Sequence, residues 1–170
     1  PNKEGSTALI GAAQNGNLEV VNVLLNHQAS VDLQHINGST ALIVASHQGR
    51  LEVVNALLKH NAPVNMQQKD GYTALYVASE RGNLELVNVL LEHKASVNVQ
   101  QNDGSTALYI ASQNGHLEVV NVLLNHQASV DMQTKEHGTT ALFMASQKGH
   151  FEIVSALLKH KASVDMKTSK

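Results

Sequence analysis

Five histidines recur along the chain at nearly constant spacing, and histidine is the side chain here best suited to metal binding or proton transfer. They are His27, His60, His93, His126 and His160. Zinc needs several nitrogens at about 2 Å from one ion, whereas packed helices lie about 8–10 Å apart. A ladder with one histidine per helix cannot bring three or four ligands to one ion. The spacing therefore predicts no metal site.

Each of these histidines follows an apolar segment, which places it near the C-terminal end of a predicted helix. Imidazole at that position can hydrogen-bond the last carbonyl groups and complement the helix dipole. We interpret the five histidines as helix-end residues. His116 and His150 each follow a glycine instead, and we interpret them as local chemistry at the start of a helix.

The other polar residues form no catalytic constellation. The acidic residues of the apolar segments are copies of one residue in one role, favourable to the dipole at a helix N-terminus. They are Glu19, Glu52, Glu85, Glu118 and Glu152. The sequence lacks a G-x-x-x-x-G-K phosphate loop and a G-x-S-x-G nucleophile motif. It has no cysteine, which excludes thiol catalysis. We predict no enzymatic activity and no cofactor.

Composition and charge argue against binding to nucleic acid and insertion into a membrane. Twelve Lys and Arg against fourteen Asp and Glu give a formal net charge of −2, whereas proteins that neutralise phosphates usually carry a basic face. We therefore expect no nucleic-acid binding. No apolar run approaches the ~18–20 residues that span a bilayer, so we expect no membrane insertion. The absence of cysteine fits a reducing compartment, which predicts a cytoplasmic or otherwise intracellular location.

The elements that carry these residues are repeated. LEVVNVLLNHQASVD occupies residues 18–32 and again 117–131. The phrase GSTAL, or a close variant, starts at Gly5, Gly38, Gly71, Gly104 and Gly138, in steps of 33, 33, 33 and 34 residues. A fixed period of this length is the signature of a repeat array. We predict a single domain over residues 1–170, with repeats at approximately 1–34, 35–67, 68–100, 101–133 and 134–170.

Two helices are predicted in each unit. In the second unit Thr40 is suited to N-cap a short helix that ends near Gly49. A second helix runs from about Arg50 to about His60 and is apolar nearly all round, which is typical of a helix buried on several sides. An extended loop with a hairpin-like tip at Asp70-Gly71 follows. The fold class is therefore an all-α repeat solenoid of stacked helix-turn-helix units, elongated and slightly curved.

The motifs G-x-T-x-L, A-x-x-x-G, V-V-x-x-L-L and A-x-V-N/D, held in register over five copies, resemble the ankyrin repeat family. That family usually has Thr-Pro-Leu-His at the first helix, where this chain has Ala for Pro. It has other residues for His, namely Ile10, Ile43, Tyr76, Tyr109 and Phe143. The family also favours Gly after the second helix. Left-handed backbone at the residues found there would cost on the order of 1 kcal/mol each, least at Asn61. Those residues are Gln28, Asn61, Lys94, Gln127 and Lys161.

The resemblance implies protein binding on a concave groove formed by the loop tips and the exposed ends of the first helices. The candidate partner-binding residues are Ile36, Asn37, His47, Gln48, Lys69, Asp70, Tyr72, Glu80, Arg81, Asn102, Asp103, Gln113, Asn114, Lys135, Glu136 and Lys148. The expected partner is a protein or peptide. The alternative is a structural spacer within a longer repeat array, with no partner of its own.

Aromatic residues are few, and most lie on the tip side of the unit. Tyr72 follows a tip glycine and has no evident packing role in the core, so we predict that it is the main hot spot, supported by Ile36, Glu80 and Arg81. Tyr76, Tyr109 and Phe143 can instead fill the space between repeats. We favour that role for Phe143, and both interpretations stay open for Tyr109.

The first and last units keep the internal apolar pattern, although terminal repeats usually carry a polar outer face. The chain also begins and stops inside loop tips, at residues 1–5 and 166–170. We therefore expect a segment of a longer array with apolar surface exposed at both ends, and a monomer that is capable of end-to-end association. The resemblance also places Asn65 and Asn98 where asparaginyl hydroxylases modify some members of the family.

Overall fold

The computed structural model describes residues 5–168, so residues 1–4 and 169–170 of the two terminal tips lie outside the described part. Ten helices and their connecting turns make up residues 5–168, with no strand among them. In chain order the helices are α1 Ala8–Asn15, α2 Leu18–Asn26, α3 Ala41–His47, α4 Leu51–Lys59, α5 Ala74–Glu80, α6 Leu84–Glu92, α7 Ala107–Asn114, α8 Leu117–Asn125, α9 Ala141–Lys148 and α10 Phe151–Lys159. They form five helix-turn-helix pairs, as the sequence predicts.

A threonine caps every first helix. Thr40 Oγ1 accepts a hydrogen bond from the backbone N–H of Ile43 at 3.3 Å, and the same bond recurs in the other four units at 3.1–3.2 Å. The threonine satisfies one of the N–H groups that a helix start leaves without a partner. The prediction that Thr40 starts a helix is confirmed.

The second helices end in left-handed backbone without glycine. Gln28, Asn61, Lys94, Gln127 and Lys161 all have φ between 61° and 66°. The Cβ of an L-residue meets the following carbonyl in this conformation, so each position carries the cost that the sequence predicts. Within the described chain this motif recurs in all five units, and it turns the backbone from the second helix into the following loop.

The second helices pack on both of their neighbours. Val53 of α4 is 1% exposed, while its counterpart in the first unit, Val20, is 49% exposed. Leu91 of α6 is 7% exposed, while its counterpart in the last unit, Leu158, is 42% exposed. The first pair marks the helix face turned to the preceding unit and the second pair the face turned to the following unit. The predicted exposure of apolar side chains at the end units is therefore present.

The loop tips are hairpin-like turns that bond to one another. In the third unit the N–H of Gln68 donates to the carbonyl of Tyr72 at 3.0 Å, and the N–H of Gly71 donates to the carbonyl of Gln68 at 2.8 Å. Gly71 has φ 92°, and an added Cβ would lie 2.8 Å from the backbone N of Asn102 in the next tip. Glycine is therefore required here by both conformation and close approach.

Candidate functional site

The loop tips of units two to five lie side by side as one continuous row. The N–H of Lys69 donates to the carbonyl of Asn37 at 2.9 Å. The same bond between successive tips joins Asn102 to Asp70 at 3.2 Å and Lys135 to Asp103 at 2.7 Å. The structure therefore brings the predicted tip residues together along one edge, and it fixes the spacing between them.

A ladder of glutamines, which the sequence analysis missed, supports this row. Gln67 Nε2 donates to the carbonyl of Gly71 in its own tip at 2.8 Å and to the carbonyl of Gln100 in the next unit at 3.1 Å. Gln34, Gln100 and Gln133 make the same two bonds. Glutamine at one repeat position in four units was a signal in the sequence that could have identified the ladder.

Some of the predicted tip side chains are engaged within the protein. Asn37 Oδ1 accepts from the N–H of Ser39 at 2.9 Å, and Asp103 Oδ1 accepts from the N–H and Oγ of Ser105 at 2.8 and 2.7 Å. Asn102 Nδ2 donates to the carbonyl of Lys69 at 2.8 Å. These three side chains shape the tips. The tip residues Ile36, Lys69, Asp70, Lys135 and Glu136 are exposed as well.

The exposed ends of the first helices form a second row, which is also linked between units. Arg81 Nη2 donates to Nε2 of His47 at 3.0 Å, which joins unit three to unit two. Asn114 Nδ2 donates to the carbonyl of Glu80 at 2.9 Å, which joins unit four to unit three. Gln48 and Lys148 of the predicted set are exposed in the same row. Gln113, also of that set, is partly exposed.

Tyr72 lies between the two rows and packs against Tyr76. The ring centroids are 5.2 Å apart and the rings meet edge to face at 80°. Tyr72 is half-buried, and burial raises the pKa of its hydroxyl, with a smaller effect from the charge of Glu80. The prediction that Tyr72 lacks a packing role is therefore wrong, because its ring covers the small cluster of Tyr76, Val77 and Ile110.

Tyr76 and Tyr109 fill the space between successive units. The hydroxyl of Tyr76 lies 3.4 Å from Ser105 Oγ, and that of Tyr109 lies 3.1 Å from Thr139 Oγ1. Burial raises the pKa of Tyr76 to about 12. For Tyr109, the packing interpretation is the one that the structure supports. The expectation that Phe143 fills the space between two repeats is wrong. Its side chain is 40% exposed, because no further unit covers α9 within residues 5–168.

A cavity of about 530 Å³ opens between the same two rows in units one to three. Ile10, Ile43, Val44 and Val77 contribute its apolar lining. Polar side chains surround them, among them Ser39, Gln68 and His47. Volumes of about 300–1,000 Å³ are typical of ligand pockets. Three residues of the predicted site, Asn37, His47 and Gln48, line this cavity.

The helix-end histidines, and His116 and His150, hydrogen-bond to backbone carbonyl groups. In each unit the helix-end histidine places Nδ1 2.9 Å from the carbonyl oxygen four residues earlier, such as Val23 for His27. The helix-end interpretation is confirmed. The interpretation of His116 and His150 as purely local residues is wrong, because each bonds to the preceding unit. Nε2 of His116 lies 3.0 Å from the carbonyl oxygen of Glu80, and Nε2 of His150 lies 3.1 Å from that of Gln113. Between residues 5 and 168, no group of three or more His, Asp or Glu could hold a metal ion.

Asn65 and Asn98 link the turn that follows the second helix of one unit to the same turn of the next unit. Asn65 Oδ1 accepts from the N–H of Ser96 at 2.8 Å, and Asn98 Oδ1 accepts from the N–H of Ser129 at 2.8 Å. Both side chains are exposed. Their hydroxylation stays a prediction.

Among the helices of the described chain, none is both long and apolar enough to cross a membrane.

Comparison with known proteins agrees with this geometry. The family model described as ankyrin repeats (3 copies) matches residues 9–101, 60–134 and 93–168, and these overlapping matches cover most of the chain. A search of curated protein sequences finds no match.

Proposed function

Because the chain belongs to the ankyrin repeat family, we propose that it binds a partner protein or peptide on the concave groove formed by its loop tips and first helices. Ankyrin repeats are generally protein–protein interaction modules, and the family is typically a non-enzymatic scaffold. We further propose that this chain has no catalytic activity and holds no cofactor.

The observation that carries the proposal is the pre-organisation of the two rows. Backbone bonds of 2.7–3.2 Å tie each tip to the next in units two to five, and side-chain bonds tie successive first helices. A surface that is already ordered loses little conformational entropy on binding, so more of its contact energy appears as affinity.

The third unit supplies the side chains best suited to anchor a partner. Tyrosine and arginine are enriched among residues that dominate binding energy. The third unit carries both, since Tyr72 is half-buried and Arg81 is exposed at the end of α5, next to the partly exposed Glu80. Tyr72 is held by its contact with Tyr76, which lowers the cost of ordering its ring on binding. We propose Tyr72 and Arg81 as the centre of the site.

The other repeats provide a triple variant of the third unit that should keep the fold. Units one and four carry Ser, Gln and Asn where unit three has Tyr72, Glu80 and Arg81, so the change Tyr72→Ser, Glu80→Gln and Arg81→Asn uses side chains that the array already accommodates. A matched control changes three exposed residues of the second helices, as Lys59→Ala, Glu85→Ala and Glu92→Ala.

The test is affinity capture from lysate of the cells that produce the protein, with quantitative mass spectrometry of the bound material. We expect proteins that bind the unchanged chain and the control but lose at least 90% of their signal with the triple variant, since hot-spot losses of about 2 kcal/mol reduce affinity about 30-fold. Equal capture by all three proteins would favour the spacer and overturn the groove proposal.

A further inference from the structure

The cavity between units one and three occupies the place that a tyrosine ring fills farther along the array. Tyr76 meets Ser105, which lies 29 residues beyond it, and packs with Ile110, which lies 34 residues beyond it. The same offsets from Ile10 lead to Ser39 and Val44, and from Ile43 to Tyr72 and Val77. Ser39, Val44 and Val77 all line the cavity together with Ile10 and Ile43.

A difference in side-chain size accounts for the open space. Isoleucine at positions 10 and 43 is shorter than tyrosine and carries no hydroxyl, so it cannot reach the residues that Tyr76 and Tyr109 contact in the next unit. In units three and four the chain fills the space with its own ring. In units one and two the space stays open to the groove, and a comparable ring from outside would find an apolar floor there.

The polar wall of the cavity suits a phenol hydroxyl. Ser39 stands at the position of Ser105, and its Oγ donates to Oε1 of Gln68 at 2.6 Å. The Ser39 hydroxyl oxygen keeps lone pairs that can accept a further hydrogen bond. Phenylalanine has no hydroxyl to donate to these lone pairs, so it would lack the hydrogen bond that tyrosine can add to the Ser39–Gln68 pair. The wall therefore favours tyrosine over phenylalanine.

The charge around the opening adds a second preference. The side chains that line the cavity include no carboxylate, and the guanidinium of Arg81 lies against His47 at the rim. A partner with acidic residues beside its tyrosine would therefore meet a cation and no repelling carboxylate from the lining.

We propose that this cavity binds the tyrosine side chain of a partner protein, presented by a segment with acidic residues next to it. The inference rests on the proposed groove function and names the kind of side chain that the groove recognises. The pocket adds a site on units one to three, next to the Tyr72 and Arg81 centre.

The first test uses p-cresol, the side-chain analogue of tyrosine, and follows methyl signals in NMR spectra of the intact chain. We expect saturable shifts for the methyl groups of Ile10, Ile43 and Val77 and none for Leu158, which lies in the last unit. Toluene, which lacks the hydroxyl, should bind several-fold more weakly. The absence of saturable shifts up to the solubility limit of p-cresol would overturn the proposal.

Variants distinguish a specific pocket from general apolar binding. Ile10→Tyr fills the space with a ring that the array already accepts at position 76, because Ser39 and Val44 stand opposite Ile10 as Ser105 and Ile110 stand opposite Tyr76. We therefore expect an unchanged melting temperature and at least a tenfold loss of p-cresol affinity. Ile43→Val is the control and should retain binding. If the tyrosine variant does not fold, Ser39→Ala replaces it, and its preference for p-cresol over toluene should disappear. Undiminished p-cresol binding in the folded tyrosine variant, or an undiminished preference in Ser39→Ala, would overturn the proposal.

Capture from lysate separates this proposal from the proposed function. Partners that are lost with the unit-three variant and with Ile10→Tyr support both proposals. Partners that are lost with the unit-three variant but kept by the tyrosine variant overturn the pocket and leave the groove function standing. Capture that no groove variant changes overturns the groove function, and with it the claim that a partner protein uses the pocket.

Discussion

At the scale of the residue, Tyr76 has the largest pKa shift among residues 5–168. It is 6% exposed, and burial raises its pKa to about 12 from an ordinary value near 10. Ser105 Oγ lies close to its hydroxyl. Because burial disfavours the phenolate, the folded chain holds this proton at a pH where the unfolded chain releases it.

The raised pKa of Tyr76 predicts a loss of stability in alkaline solution. Below about pH 9 the tyrosine is almost fully protonated in both states and contributes little pH dependence. Between pH 10 and 12 the folded state binds more protons than the unfolded state, so the free energy of unfolding falls as pH rises. We expect Tyr76→Phe to reduce this fall, as measured by urea unfolding at pH 9, 10 and 11. An unchanged slope in the variant would contradict the assignment.

Local chemistry could be predicted at this scale, and contacts between units could not. The Thr40 cap and the helix-end histidines depend on neighbours three or four residues away, which a sequence pattern specifies directly. His116 reaches Glu80, 36 residues earlier, and Tyr72 packs on a ring whose direction depends on the stacking of units. Their roles follow from the spacing and rotation of the units in the folded array, which no local pattern contains.

At the scale of the element, the first helices carry an internal cost. Ser46, Ser79 and Ser112 stand at one repeat position, are 0% exposed, and their hydroxyls have no hydrogen-bond partner in the protein. A buried polar group without a partner costs about 1–3 kcal/mol. The first unit has Ala13 at this position, equally buried. The helices would therefore pack at least as well with alanine.

This cost predicts that Ser79→Ala stabilises the protein. We expect a gain of about 1 kcal/mol in the free energy of unfolding, which corresponds to a rise of about 2–4 °C in melting temperature. Ser146→Ala is the matched control, because Ser146 holds the same repeat position in α9 but is exposed, so it reports the helix propensity of alanine alone. Equal gains in the two variants would show that the buried hydroxyl carries no penalty.

The existence, type and approximate bounds of the helices could be predicted because the same pattern is written five times. The short first helix of the second unit is found at Ala41–His47 and the second at Leu51–Lys59, within a residue or two of expectation. The left-handed residues after the second helices also follow from the pattern, since the turn into the loop is common to all units. Glutamine recurs at one position in four units, but the ladder was not predicted, because its bonds between loops depend on how the units stack in the folded array.

At the scale of the whole molecule, stability passes from unit to unit through the faces of the second helices. Leu57, Leu90 and Leu123 are 0% exposed, because each is enclosed by its own unit and its neighbours. In an array of this kind, the stability is approximately a sum of the contributions of single units and of the interfaces between them. A unit with one interface is therefore held less firmly than a unit with two.

The first and last units should accordingly open before the middle three. Val20 and Val23 are 49% and 57% exposed in α2, and Phe151 is 74% exposed in α10, so these helices gain less burial than their counterparts inside the array. Amide hydrogen exchange resolved by helix should show protection that is highest in α5 and α6 and lowest in α1, α2, α9 and α10, because local opening reports the free energy of each region. Measurements at two dilute protein concentrations keep end-to-end association from protecting the outer units.

Substitutions of Leu91 and Leu158, which hold the same repeat position, test whether inner units are more stable than outer units. Leu91→Ala removes a side chain that is 7% exposed and should cost about 2–5 kcal/mol, whereas Leu158→Ala removes one that is 42% exposed. We expect the second variant to cost less than half as much in thermal or urea unfolding, since less burial is lost and solvent can fill the space. The first variant should also lower exchange protection in α5 to α8, while the second should leave those helices unchanged. Equal costs for the two leucines, or equal protection in all five units of the dilute protein, would mean that the outer faces are stabilised by contacts other than the stacking of neighbouring units.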